Sequence, residues 1–359
     1  MNPFVGLPDN CYWKRALRLG HPPSPPKFTL KPSDKIMTAG SCFARRVSSY
    51  LVDKGCNVII KEDLPSVMHN YTVPGRWFFD ETYLKGVISR LREQYNYGIF
   101  SARYDNIYHS AQLHQLLLRA LGSFSPQDDI WVREDGKLVD AFRPKIDPDG
   151  YPSREALIAD RDFHLKAVRE AFSELDVLIF TFGLTEAWRS KKDGSFYPIA
   201  PGVVGGAFDP KNYEFVNLSV SDLVAHFEAF SSKLREINPN SKIIITVSPT
   251  PLMATARKDC SVLEANFYSK SALRAASDEI VQRVPNVSYF PSYEIVMSGV
   301  FQGEKTFEND QRTPSGKVIS KIMQTFLACY LDGILPARKE AAKNTDFEKI
   351  LEECDNILK

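Results

Sequence analysis

Three short apolar runs recur in the second half of the chain: Val177-Leu178-Ile179-Phe180-Thr181, Ile243-Ile244-Ile245-Thr246-Val247 and Val287-Ser288-Tyr289-Phe290. Each has the length and β-branched or aromatic content of a strand covered on both faces. Between and around them the spacing predicts helices: one from 153 through Phe172, one near 219–237, one near 262–282 and one over about 315–331. Parallel neighbours need long crossover connections, so strands alternating with helices constrain the chain to a mostly parallel sheet covered by helices. Sheets of this kind carry their sites outside the carboxyl ends of the strands. The loops that follow each run are therefore where function is sought.

The first half supplies two more strands, which brings the expected sheet to five. Lys35-Ile36-Met37-Thr38-Ala39 is short, apolar and bounded by Pro32 and Asp34, and Asn57-Val58-Ile59-Ile60 follows as a second strand. Between them Phe43, Val47, Tyr50 and Leu51 mark one face of a helix that Gly55 closes. Residues 62–150 read as an α/β insertion after the second strand. It has helical patterns at Tyr83–Tyr95 and Gln112–Leu121, then a hairpin in "DIWVREDGKLVDAF" turned by Asp135-Gly136. Residues 1–32 form an extended proline-rich arm, 33–335 the domain, and 336–359 a charged amphipathic helix that packs on the domain or on a second copy.

Composition excludes several functional classes. Lysine and arginine total 45 against 44 acidic residues, so no overall field favours nucleic acid. The six cysteines show no CxxC and no pairing with histidine, which speaks against a disulfide framework and against a metal site. No stretch has eighteen uninterrupted apolar residues and the first twenty residues lack the apolar core of a signal peptide, so a cytoplasmic protein without a membrane span is expected. "GVVGGAFD" at 202–209 lacks the lysine of a phosphate loop and reads as a mobile loop near the cleft, a candidate lid. No cofactor is called for, and the oligomeric state is left open.

The corner Gly40-Ser41-Cys42 joins a buried strand to a helix, where glycine permits tight geometry and the first helical N–H groups have no carbonyl to bond. A parallel sheet brings this corner beside Gly183-Leu184-Thr185-Glu186, Ser248-Pro249-Thr250-Pro251 and the loop containing Asp310, Arg312 and Thr313. A serine at such a place can attack a carbonyl while nearby N–H groups hold the oxyanion.

The blocks "AGSCFA", "FTFGLTEAW", "TVSPTPL" and "ANFYSKSALR" resemble the GSCFA family, over about residues 33–330. The resemblance implies a distant similarity to SGNH, or GDSL-type, hydrolases: a three-layer α/β/α flavodoxin-like fold and esterase or acyltransferase chemistry. It also implies a link with bacterial surface polysaccharides, hence a carbohydrate or acylated small-molecule partner. Carried over residue by residue, it makes Ser41 the nucleophile and the N–H groups of Ser41 and Gly183 oxyanion donors. Gly40, Cys42, Thr185, Ser248 and Arg312 complete the substrate-binding set. Thr185 and Glu186 stand where SGNH enzymes have asparagine and aspartate, and Thr313 stands where they have a histidine three residues after Asp310. The usual base is thus absent from its place. Glu186 and Asp310 are the catalytic carboxylates in this reading, with His69 or His109 as a substitute base.

Plainer readings stand beside these. Ser41 can cap the helix, Cys42 can be a packed thiol or the nucleophile, and Glu186 can bond backbone N–H groups or Arg45 or Arg46. Ser248 can hold a turn, Asp310 with Arg312 can be a salt-bridged loop, and Trp188 can be core or a sugar platform. Ser269 and Lys270 spell a dyad on paper, yet helical neighbours point about 100° apart. A site without a base leaves a second function open: a glycan-binding or assembly module on a degenerate hydrolase frame.

Overall fold

In the computed structural model of the chain, residues 11, 25–64, 90–92, 94–298 and 305–331 are described. The chain divides into two compact units. One comprises Lys31–Phe290; the other joins Met1–Leu30 to Pro291–Lys359. The proline-rich arm before residue 25, most of the Tyr83–Tyr95 pattern and the C-terminal helix expected after 335 lie outside the described residues.

The first unit is built on a parallel four-stranded sheet of β1 (Ile36–Gly40), β4 (Val177–Phe182), β8 (Lys242–Val247) and β9 (Val287–Phe290), in that order. Every residue of β1 and β4 is buried, which is why both read as mostly apolar runs, with Thr38 and Thr181 as the exceptions. Helix α1 (Cys42–Asp53) packs on β1 and β4 through Phe43, Ala44, Val47 and Leu51. Helices α2 (Ser110–Ala120), α3 (Arg154–Glu174), α4 (Val220–Ile237) and α5 (Val262–Arg283) pack in a series, α3 on α2, α2 on α4, α4 on α5, and α5 also covers β8 and β9.

The expected fifth strand is not formed. Asn57–Ile60 makes a single parallel bridge, Val58 opposite Ile36. The chain then turns away, and Lys61 N–H bonds the Ser101 carbonyl instead. The outer edge of β1 is closed piecemeal by the insertion. Thr38 N–H donates to Ser101 Oγ at 3.0 Å, the Tyr104 hydroxyl donates to the Thr38 carbonyl, and Ile107 N–H donates to the Gly40 carbonyl at 2.9 Å. These bonds engage the Thr38 N–H and carbonyl and the Gly40 carbonyl, so the insertion takes over much of the pairing a fifth strand would have made.

The insertion holds the expected hairpin, β2 (Ile130–Val132) against β3 (Leu138–Asp140), with Gly136 at φ +80°. An antiparallel sheet unforeseen in the sequence follows β4: β5 (Glu186–Ser190) lies between β6 (Phe196–Tyr197) and β7 (Tyr213–Asn217). The glycine-rich stretch packs on the hairpin. Gly206 N–H bonds the Val132 carbonyl, and a Cβ at Gly206 would come within 3.0 Å of the Trp131 ring, so glycine here serves close packing on the hairpin. Trp188 joins the same cluster, edge-on to Phe208 and Phe215.

Hairpin and α3 are joined by buried charge. Asp140 accepts from Arg143 Nε at 3.2 Å and Arg161 Nε at 3.1 Å; Asp160 accepts from Arg103, Arg143 and Tyr151; Glu62 accepts from His164 Nδ1 at 2.7 Å and from Arg103 N–H. Burial alone would raise Asp140, but the guanidiniums of Arg143, Arg161 and Arg119 hold its carboxyl well below the usual range.

In the second unit α6 (Ser292–Met297) and α7 (Gly316–Tyr330) pack together, and Leu30 N–H bonds the Tyr330 carbonyl beside a parallel bridge to Leu331.

Candidate active site

Gly40 ends β1 with φ +140°, and a Cβ there would fall 2.4 Å from the Thr181 carbonyl oxygen. Only glycine allows the two strand ends to approach so closely. The next residue, Ser41, occupies the N-cap of α1 and is 2 % exposed. At four other helices with a serine N-cap, Ser153, Ser219, Ser261 and Ser315, the hydroxyl accepts an N–H from the first turn, as helix capping predicts. Ser41 does not: its Oγ makes no cap bond and has no hydrogen-bond partner among the described residues. A buried hydroxyl left unpaired costs about 1–3 kcal/mol, so the place is unfavourable for a purely structural serine.

Its surroundings come from distant parts of the chain. A Cβ on Gly183 would lie 2.8 Å from Ser41 Cβ and 2.7 Å from Tyr108 Cδ1, so the serine rests directly over the Gly183 backbone. Gly183 is fixed on both sides: its N–H donates to the Tyr108 carbonyl at 2.7 Å, and its carbonyl accepts from the buried Lys270 Nζ at 2.7 Å. Ser269, beside Lys270, accepts the Thr185 N–H at 2.9 Å. The two helical neighbours thus reach two different residues of one loop and form no dyad.

The expected oxyanion donors are engaged otherwise. Ser41 N–H donates to the Thr181 carbonyl at 3.1 Å, Gly183 N–H to Tyr108, and the Thr185 hydroxyl to Asn217 Oδ1 at 2.6 Å. What the corner still offers is the start of α1, where Cys42 and Phe43 are the first two helical residues and their N–H groups have no carbonyl within the helix. Cys42 is exposed.

The proton-handling residues expected from sequence are dispersed. Glu186 accepts from Thr255 Oγ1 at 2.5 Å and from Ala256 N–H, which ties the loop after β8 to β5. Arg45 instead faces Asp105, at 3.6 Å. His109 is the N-cap of α2: its Nδ1 accepts from Gln112 N–H, so the ring proton sits on Nε2 and the imidazole presents a donor, not an acceptor. Burial, with His226 nearby, pushes its pKa down to about 3. His69 lies outside the described residues. Ser248 closes its own turn, accepting from Thr250 N–H while its N–H bonds the Phe182 carbonyl.

Asp310 and Arg312 belong to the other unit. There the Asp310 carboxylate accepts from the Thr313 hydroxyl at 2.6 Å and from the N–H groups of Thr313 and Arg312, which together hold it at about 2. The residue in the histidine's place therefore uses its hydroxyl to bond that same aspartate. Sequence reasoning missed Tyr108 and Asn217, whose roles depend on contacts across the fold. Among the described residues no group of three His, Cys, Asp or Glu side chains could hold a metal ion, and no helix is long and apolar enough to cross a membrane.

The segment 57–60 lies on one side of β1 and β4 on the other, so the chain reverses direction across the sheet between β1 and β4. Ser41 and Gly183 follow those two strands, at the switch point where open α/β sheets bind ligands. Among solved structures, a carbohydrate esterase family 3 protein from Talaromyces cellulolyticus is similar at 12% identity, covering 61% of this chain and 87% of that one with a TM-score of 0.23. No curated protein matches the sequence. The GSCFA family profile matches residues 35–326, which include the corner, the Gly183 loop and the residues that hold them: the chain belongs to the GSCFA family.

Proposed function

We propose that this protein is a serine-centred esterase or acyltransferase acting on O-acyl groups, first of all O-acetyl, of a carbohydrate. The observation that carries the reading is the uncapping hydroxyl of Ser41 at the switch point of the sheet. Ser41 Oγ attacks the acyl carbon, the bond from that carbon to the sugar oxygen breaks, and the hydroxyl proton goes to the departing sugar. Water or a second hydroxyl then takes the acyl group from the serine. The N–H groups of Cys42 and Phe43 receive the oxyanion, with the α1 macrodipole behind them. Because Ser41 is 2 % exposed, access to the acyl carbon requires the cleft to open.

A second reading, a glycan-binding module, is favoured by one observation. Among the described residues no imidazole or carboxylate lies within hydrogen-bond distance of Ser41 Oγ, and a serine without a base is a weak nucleophile. His69 is the remaining histidine of the two proposed as base. The test is fluorophosphonate labelling read by intact mass and peptide mapping, with Ser41→Ala and His69→Ala alongside. One adduct at Ser41, slowed in His69→Ala, supports the enzyme; a folded protein that never labels but binds acetylated glycans supports the module.

A further inference from the structure

Beside the segment that closes the edge of β1 lies a cavity of about 30 Å³, lined among others by Tyr104, Asn106, Gln112, Gln115, Arg119 and Arg143. A single water needs roughly 10–15 Å³ of such space, so there is room for a group of two or three heavy atoms. Most of the polar lining is already engaged. Arg143 bonds Asp140, Asp160 and the Arg103 carbonyl; Gln115 bonds both the N–H and the carbonyl of Phe196.

Arg119 is different. It is 6 % exposed, its guanidinium lies over the Phe142 ring at 4.1 Å, and among the described residues it makes no side-chain hydrogen bond or ion pair. The neighbouring buried arginines, Arg103, Arg143 and Arg161, each have a carboxylate. Asp140, the acidic group nearest in effect to Arg119, has its bonds taken by Arg143 and Arg161. Burial outweighs Asp140 and pushes the Arg119 pKa down to about 10, which marks a cation short of negative partners. Gln112 adds a second donor: its Oε1 accepts Tyr108 N–H, and its amide NH2 has no partner among the described residues. A planar fork of N–H groups facing a small cavity matches a carboxylate bidentately.

The geometry points to a carboxylate-binding site in this cavity, held by Arg119 with Gln112. Asn106 Oδ1, buried and without a partner among the described residues, accepts from a hydroxyl or water beside the carboxylate. The carboxylate can come from a small free acid or from an acidic sugar. The site is independent of Ser41 chemistry, since Arg119 sits on α2 and no step of the acyl transfer passes through it.

The test is a titration of wild type, Ser41→Ala and Arg119→Met with sodium formate, glycolate and glucuronate, each against sodium chloride at equal ionic strength, followed by melting temperature and calorimetry. Wild type and Ser41→Ala are expected to bind formate or glycolate saturably, and Arg119→Met at least tenfold more weakly. A comparable response to glucuronate assigns the site to a carboxylated sugar; a response confined to formate and glycolate assigns it to a free acid. No saturable response beyond chloride in wild type, or undiminished binding in Arg119→Met, overturns the proposal. If Arg119→Met does not fold, a wild-type crystal soaked in formate decides: a carboxylate against Arg119 supports the site, and water alone overturns it.

Discussion

Replacing Gly183 by alanine tests the corner with a single methyl group. Its backbone needs no positive φ, so the effect is one of contact: the new Cβ falls 2.8 Å from Ser41 Cβ and 2.7 Å from Tyr108 Cδ1. Ordinary contact begins near 3.4 Å, so each neighbour must retreat by roughly 0.6–0.7 Å. Neither retreats freely. Ser41 is fixed through its N–H to Thr181, and Tyr108 through its carbonyl to Gly183 and its N–H to Gln112. Overpacking of this kind costs about 1–3 kcal/mol. If Ser41 is the nucleophile, its displacement also slows fluorophosphonate labelling by about 100-fold. Urea unfolding gives the first quantity and time-resolved intact mass the second. Gly316→Ala, with nothing within 4 Å of the added Cβ and a place at the start of α7, is the control and should be neutral or slightly stabilising. A Gly183→Ala protein as stable as wild type and labelled at the same rate would show that Ser41 does not rest on Gly183, and the proposed corner would fall with it.

Acid should destabilise the protein well above the carboxylate range. His109 and His164 are buried and neutral, the first pushed down to about 3 by burial and His226, the second to about 4 by burial and Arg143 against the pull of Glu62. Above pH 6.5 neither folded nor unfolded imidazole is charged; below it the unfolded chain takes protons that the folded one refuses, so stability falls by roughly 1.4 kcal/mol per pH unit for each histidine down to those values. Urea melts at pH 7, 6 and 5 check this, and a flat profile would contradict it. Asp140→Asn leaves Arg143 and Arg161 short of charge in the interior and should cost about 3–5 kcal/mol by the same melts. Glu186→Gln should leave Ser41 labelling within twofold, because the carboxylate holds Thr255 and Ala256; a loss beyond about 100-fold would make it the proton-transfer group.

What could be read in advance follows from where the physical cause is local. Strands β4 and β8 stand out in the sequence because burial on both faces selects mostly apolar residues, and the corner at Gly40 stands out because a tight strand-to-helix turn demands glycine. Asn57–Ile60 misleads for the same reason: Ile59 is 7 % exposed and apolar, but its burial comes from packing, while the pairing it suggests is taken by Ser101 and Ile107. Strands β5 and β7 are short and only partly buried and β6 has two residues, so they carry no strong period, although Asp193-Gly194 marks the turn between two of them. The Ser41 and Gly183 N–H groups looked free because their acceptors, Thr181 and Tyr108, lie far away in the chain.

The pairing of β1 with β4 also sets the order in which this chain can fold. Their registers join residues about 141 positions apart, Lys35 bonding Asp176 at the start of the pair. At roughly 5–20 residues per second of synthesis, β1 leaves the ribosome some 7–28 s before its partner exists. For that interval Ile36, Met37 and Ala39 lack the strand they pair with, and contacts of such long range form slowly afterwards. The serine corner is therefore among the first segments made, yet it takes its shape only after the chain has grown past β4. Any nascent chain stopped before Phe182 carries the motif without the geometry.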